Sequence, residues 1–115
     1  MVSLSLLLEQ YRAAAFQHGQ ATERGDARTA NKQYEQVMRA YRGIKQHGEE
    51  AMMHLGPLLK DDDFSVASWA AAHLLPYDEQ QATTVLQHIC KQPGIVAFSA
   101  EMVLREWKNG RLRFD

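Results

Sequence analysis

This chain of 115 residues predicts an all-α fold of about six helices stacked as helical hairpins. Three observations carry that prediction. Apolar residues recur in steps of three and four along most of the chain, the spacing of one helix face. Gly, Pro and Asp gather at the joints between those stretches, where helices end and begin. The pattern beginning at Val66 also returns at Val96, an offset of 30 residues, as in stacked repeat architectures. No stretch alternates apolar and polar residues for long enough to predict a strand.

The first helix is expected over 4–23, with Leu4, Leu7, Leu8, Tyr11, Ala14, Ala15 and His18 on one face. Gly25 then suits a helix end and Asp26 the cap of a second helix over 27–46. Its apolar positions are Ala30, Tyr34, Val37, Met38, Tyr41 and Ile44, again at helical spacing. Its opposite face carries Arg28, Lys32, Glu35, Arg39 and Arg42. Such a charge row usually marks a solvated face, and its sharper reading is a basic strip facing an acidic partner. His47-Gly48 ends the helix. A third helix is expected over 49–60, with Glu49 and Glu50 favourable at its positive end and Pro57 kinking it or ending it near Gly56. One of Asp61, Asp62 and Asp63 should cap a fourth helix over 64–75, which Pro76 stops. Asp78 should cap a fifth, running to about 91 and closed by Pro93-Gly94. A sixth covers 95–108. The expected organisation is one domain over 1–115. It comprises a helix pair at 4–47, two hairpins at 49–108 and a tail at 109–115.

The repeat pairs Val66-Ala67-Ser68-Trp69-Ala70-Ala71-Ala72-His73-Leu74-Leu75-Pro76-Tyr77 with Val96-Ala97-Phe98-Ser99-Ala100-Glu101-Met102-Val103-Leu104-Arg105-Glu106-Trp107. Leu55 and Leu59 likewise align with Val85 and Ile89. A lone helical hairpin cannot bury its apolar stripe, whereas stacked hairpins share one core. Ala70 and Ala100 would let neighbouring helices approach, while Leu74 and Leu104 fill the layer. His73 takes the core position of Val103, which predicts a buried imidazole with satisfied nitrogens. In a solenoid, helices two, four and six would line one continuous face.

Leu55, Leu58, Leu59, Asp62 or Asp63, Val66, Ala70, Ala71, Leu74 and Leu75 together resemble a HEAT repeat, with Ala67 where that pattern has an arginine. The resemblance covers 49–108. More broadly, the chain resembles a family of short bacterial HEAT-like proteins of uncharacterised function. The Leu-x-x-Tyr region from Leu8 to Tyr11 and the D-x-x-V-x-x-x-A-A-x-x-L-L core within 62–75 carry that likeness. It implies an α-α superhelix of the HEAT or armadillo kind and no known chemistry. Relatives of this sort are often interaction proteins, and some resemble immunity proteins encoded beside toxins.

Apolar residues at 45% and charged residues at 23% suit a globular chain and argue against disorder. A net charge of −1 makes nucleic acid an unexpected partner, since phosphate binders carry a basic excess. A lone cysteine, Cys90, cannot form an internal disulfide and points to a reducing, cytoplasmic setting. The run Leu4-Ser5-Leu6-Leu7-Leu8 is too short for a membrane span, and no basic residue precedes it as in a signal peptide.

Chemistry is not expected. The histidines His18, His47, His54, His73 and His88 form no zinc motif, and Glu50 with His54 lacks a third ligand. Cys90 reads as a packed thiol among Val85, Leu86 and Ile89. No glycine-rich phosphate loop or nucleophile elbow is present. Asp61-Asp62-Asp63 lacks the spacing of a calcium loop. No catalytic residue, cofactor or metal is therefore predicted, and recognition of another protein is. The candidate partner-binding residues are Asp61, Asp62, Asp63, Ser65, Ser68, Phe98, Glu101, Met102 and Arg105. Phe98 and Met102 fall off the core stripe of their helix, where they would meet a partner, the tail residues Leu112 and Phe114, or a second copy in a homodimer. Over 61–101 six carboxylates stand against Lys91 alone, a balance that would steer association with a basic enzyme or a toxin encoded nearby. The alternative is a nucleic-acid-binding repeat that uses the basic face of helix two.

Overall fold

The computed structural model describes residues 2–114. Met1 and Asp115, at the start of the N-terminal run and the end of the tail, lie outside the described residues. The chain forms α1 (Leu4–Arg24), α2 (Ala27–Gln46), α3 (Glu49–Met52), a 3-10 helix (Met53–Lys60), α4 (Phe64–Leu74), α5 (Glu79–Ile89) and α6 (Ile95–Lys108). The described residues contain no strand.

Side-chain caps set most of the boundaries. Ser3 accepts from the Leu6 amide at 3.2 Å, and Asp26 from Thr29 at 3.1 Å. Asp78 accepts from Gln81 at 3.3 Å. Of the three consecutive aspartates, Asp63 is the cap of α4, accepting from the Val66 amide at 3.0 Å. Gly25 closes α1 at φ 73°, where a side chain would be strained. Asp63→Ala is expected to lower stability by about 1 kcal/mol in urea denaturation, with exposed Asp62→Ala within about 0.5 kcal/mol of wild type. Equal effects of the two changes would contradict this assignment.

The third element departs from expectation. In place of one kinked helix over 49–60, α-geometry stops at Met52 and continues as a 3-10 helix containing Pro57. The reason is steric: a proline ring in an α-helix strikes the carbonyl four residues earlier, here that of Met53, and also removes an N–H donor.

α1 and α2 pack along each other as a hairpin, drawn close at Gly43, where an added Cβ would press on the Leu7 methyls. The core gathers Tyr11, Met38, Ile44, Met52, Leu55, Leu74, Leu75, Leu86 and Ile89. α4 lies at its centre, in contact with α1, the 3-10 helix, α5 and α6. This corrects the expectation that one face of α4 is open. Ser68 and Ala72 are buried and Ser65 half-buried, because α1 and α6 flank the face thought to point outward. The body measures 38 × 31 × 26 Å, and α1 reaches across to touch α6.

The repeat positions correspond in part. Ala70 and Ala100 are both fully buried. Val66 and Leu74 are buried whereas Val96 and Leu104 are half-buried, because α4 has neighbours on all sides and α6 does not.

Candidate functional site

Three features meet around α4 and α6. The first is a buried aromatic cluster centred on His73, which is 1% exposed. Tyr41 from α2 stacks on the imidazole at 4.0 Å and 10°, and Phe114 from the tail meets it edge-on at 4.4 Å. The Tyr11 hydroxyl lies 2.6 Å from Nδ1. We assign the Tyr11 O–H as donor to Nδ1 and the ring proton to Nε2, the arrangement that leaves the phenol hydrogen paired. Nε2 is buried without a partner. The expectation of a core histidine is met, but only one of its nitrogens is satisfied. Burial, with Lys45 adding repulsion, lowers its pKa to about 3, so the ring is neutral. Burial, reinforced by Tyr41, likewise holds Tyr11 well above the usual phenol range.

The second feature is a cavity of about 310 Å³ between α1, α4, α6 and the tail. Its floor is Ser65, Ser68 and Ala72, one face of α4 whose side chains are too short to fill the space. Trp69, Tyr34 and Phe114 supply aromatic walls, and Val96, Ser99 and Val103 of α6 the opposite side. α1 contributes His18 and Gly19, and a Cβ at Gly19 would overlap the Ser65 side chain, so the glycine lets α1 and α4 meet at the cavity edge. Trp69 Nε1–H donates to His18 Nδ1 at 3.3 Å, and burial lowers the His18 pKa.

The third feature is the outer face of α6. Ile95, Phe98 and Met102, at i, i+3 and i+7, are 46%, 64% and 36% exposed. Beside them Arg105 donates to Glu101 at 3.1 Å. The tail does not cover Phe98, since Phe114 turns into the His73 cluster instead.

The remaining predicted site residues separate. Asp61 is engaged within the fold: Arg12 grips its carboxylate at 2.8 and 3.1 Å, and the Asp63 amide donates to it at 2.9 Å. Burial alone would raise its pKa, but these donors hold it below the usual carboxylate range. Asp63 caps α4, which leaves Asp62 as the exposed member of the three. Ser65 and Ser68 belong to the cavity and are not on an open surface. On α2, Arg28, Lys32, Glu35, Arg39 and Arg42 are all exposed, as a solvated row should be. Cys90 is half-buried, and burial followed by the Glu101 charge raises its pKa, away from thiolate reactivity. Among the described residues no three His, Cys, Asp or Glu side chains form a metal-binding group, and no helix is long and apolar enough to cross a membrane.

These features define an all-helical chain with an apolar helix face beside an aromatic-walled cavity. No family model matches the sequence, and no curated protein or solved structure matches it either.

Proposed function

We propose that this protein is a non-enzymatic binding module of the short HEAT-like kind, an immunity protein or adaptor that masks a partner protein in the cytoplasm. The observation that carries the reading is the row of Ile95, Phe98 and Met102 on the outer face of α6. Large apolar side chains sharing one open helix face are what docking buries, and aromatic and methionine residues are enriched at such interfaces. The exposed carboxylate of Asp62 suits a basic partner such as a toxin or nucleic-acid enzyme, whereas Glu101 is already paired with Arg105.

The test is affinity capture from the native host with wild type and Phe98→Asp. Wild type should retain a specific protein, and the variant should bind it at least about tenfold more weakly, as for the loss of an interface anchor. Its melting temperature should stay within about 2 °C of wild type, because Phe98 is 64% exposed. No specific partner, or undiminished capture by Phe98→Asp, would overturn the reading. If the partner is a toxin, deleting this gene harms growth only while the toxin gene is present. The α2 row carries the competing reading of a nucleic-acid partner. Salt-dependent binding to duplex or single-stranded nucleic acid at low ionic strength would favour it, and the absence of binding would end it.

A further inference from the structure

We propose that the cavity between α1, α4 and α6 binds a small, neutral, flat aromatic molecule of about two fused rings that carries a hydroxyl or similar hydrogen-bonding group. The inference goes beyond the protein-binding reading: the two sites share only Ile95 at the cavity edge, and Phe98 and Met102 belong to the docking face alone.

Size sets the first limit. A protein cavity of about 150 Å³ takes up benzene. About 310 Å³ therefore suits two fused rings, at the lower end for small-molecule sites. The walls set the second. Trp69, Tyr34 and Phe114 offer ring faces and edges, which favour a flat π-system over a branched aliphatic one.

Polar groups set the third. Ser68 is 8% exposed and lines the cavity, yet its hydroxyl has no hydrogen-bond partner among the described residues. His18 supplies a second group. An indole N–H can only donate, so the 3.3 Å contact from Trp69 makes His18 Nδ1 the acceptor and places the proton of the neutral ring on Nε2. That Nε2–H has no protein partner among the described residues. A ligand hydroxyl at Ser68 or at His18 would satisfy a donor or acceptor that the fold leaves unpaired.

Charge sets the fourth. No lysine or arginine lines the cavity, and Glu23 is the single ionic side chain among its lining residues. A carboxylate or phosphate would lose its hydration with no cation in return. Glu23 is exposed, so it offers a cation only a solvent-screened counter-charge.

The test titrates 15N-labelled full-length protein with 2-naphthol, indole and 2-naphthoate, following amide and indole resonances. Saturable shifts centred on His18, Ser68 and Trp69 are expected for 2-naphthol, with Kd of about 1 mM or tighter. 2-Naphthoate, with the same ring system but a charged carboxylate, should bind at least about tenfold more weakly. Two variants block the site from opposite sides: Ser99→Trp from exposed α6 and Ala72→Leu from the floor. Each should give a folded spectrum and lose most of the 2-naphthol affinity. Ser68→Ala should weaken 2-naphthol several-fold, by roughly the worth of one hydrogen bond. The proposal is overturned by the absence of saturable shifts up to the solubility limit, by equal affinity for 2-naphthoate, by unchanged binding in folded Ser99→Trp, or by shifts centred on Phe98 and Met102.

Discussion

Lowering the pH from 7 to 5 is expected to remove about 2 kcal/mol of folding stability through His73 alone. In the folded chain the imidazole is buried among Tyr11, Tyr41, Trp69 and Phe114, and its pKa is lowered from 6.5 to about 3. The unfolded chain takes up a proton below about 6.5 that the folded chain refuses until about 3. Stability from this group is therefore fully present above about pH 6.5 and lost at about 1.4 kcal/mol per pH unit as pH falls toward 3. Half-buried His18 acts with the same sign. Asp26 and Asp61, both held below 3.8, lose their contributions only at more acid pH, outside the window measured.

Urea denaturation at pH 7 and pH 5 checks this. The double variant Tyr11→Phe/His73→Phe replaces both hydrogen-bond partners by apolar rings of similar shape and removes the orphaned Nε2. It should be nearly as stable as wild type at pH 7, and its pH 7 to 5 loss should be smaller by about 2 kcal/mol. Tyr11→Phe alone leaves both ring nitrogens unpaired and should cost about 1–3 kcal/mol. Equal pH slopes for wild type and the double variant would refute the assignment.

Gly19→Ala should destabilise the protein by about 2 kcal/mol, although alanine is the better helix former by about 1 kcal/mol. The added Cβ would overlap Ser65 Oγ and Cβ, and Ser65 Cβ is fixed to the backbone of α4, so relief requires the two helices to separate. Ser65→Gly in the Gly19→Ala background should restore most of the loss, whereas Ser65→Ala, which keeps the Cβ, should not. Gly43→Ala is the control. Its Cβ would press mainly on the terminal methyls of Leu7, the far end of a flexible side chain rather than an atom fixed to the backbone, so a smaller change, within about 1 kcal/mol, is expected. A gain in stability on Gly19→Ala would show that α1 and α4 do not meet there as described.

The helices and their ends were largely legible. Apolar steps of three and four located α1, α2, α4, α5 and α6 to within a residue or two, and capping chemistry identified Asp26 and Asp78 by type and position. The 30-residue offset put His73 in the core because Val103 shares its register. Proline gave warning of trouble in 49–60 without saying that α-geometry would fail as early as Met52. Local signals suffice for these features because caps, proline sterics and helical periodicity act over three or four residues.

The cavity was not legible, and the reading of α4 shows why. Ser65, Ser68 and Ala72 look like an outward face when the helix is judged by its own pattern, since small and polar residues commonly face water. What covers them comes from α1, α6 and the tail, dozens of residues away, and no local pattern reports that approach. Phe98 and Met102 were legible as residues off the stripe, and they stay exposed although α5, α4 and α1 all pack on α6.

By itself the sequence determined that the chain is helical, where most helices start and stop, and where apolar residues recur at helical spacing, because these depend on covalent geometry and near neighbours. Tertiary structure decided which stripes meet. Placing α4 at the centre turned three short side chains into the floor of a cavity and left one nitrogen of His73 without a partner.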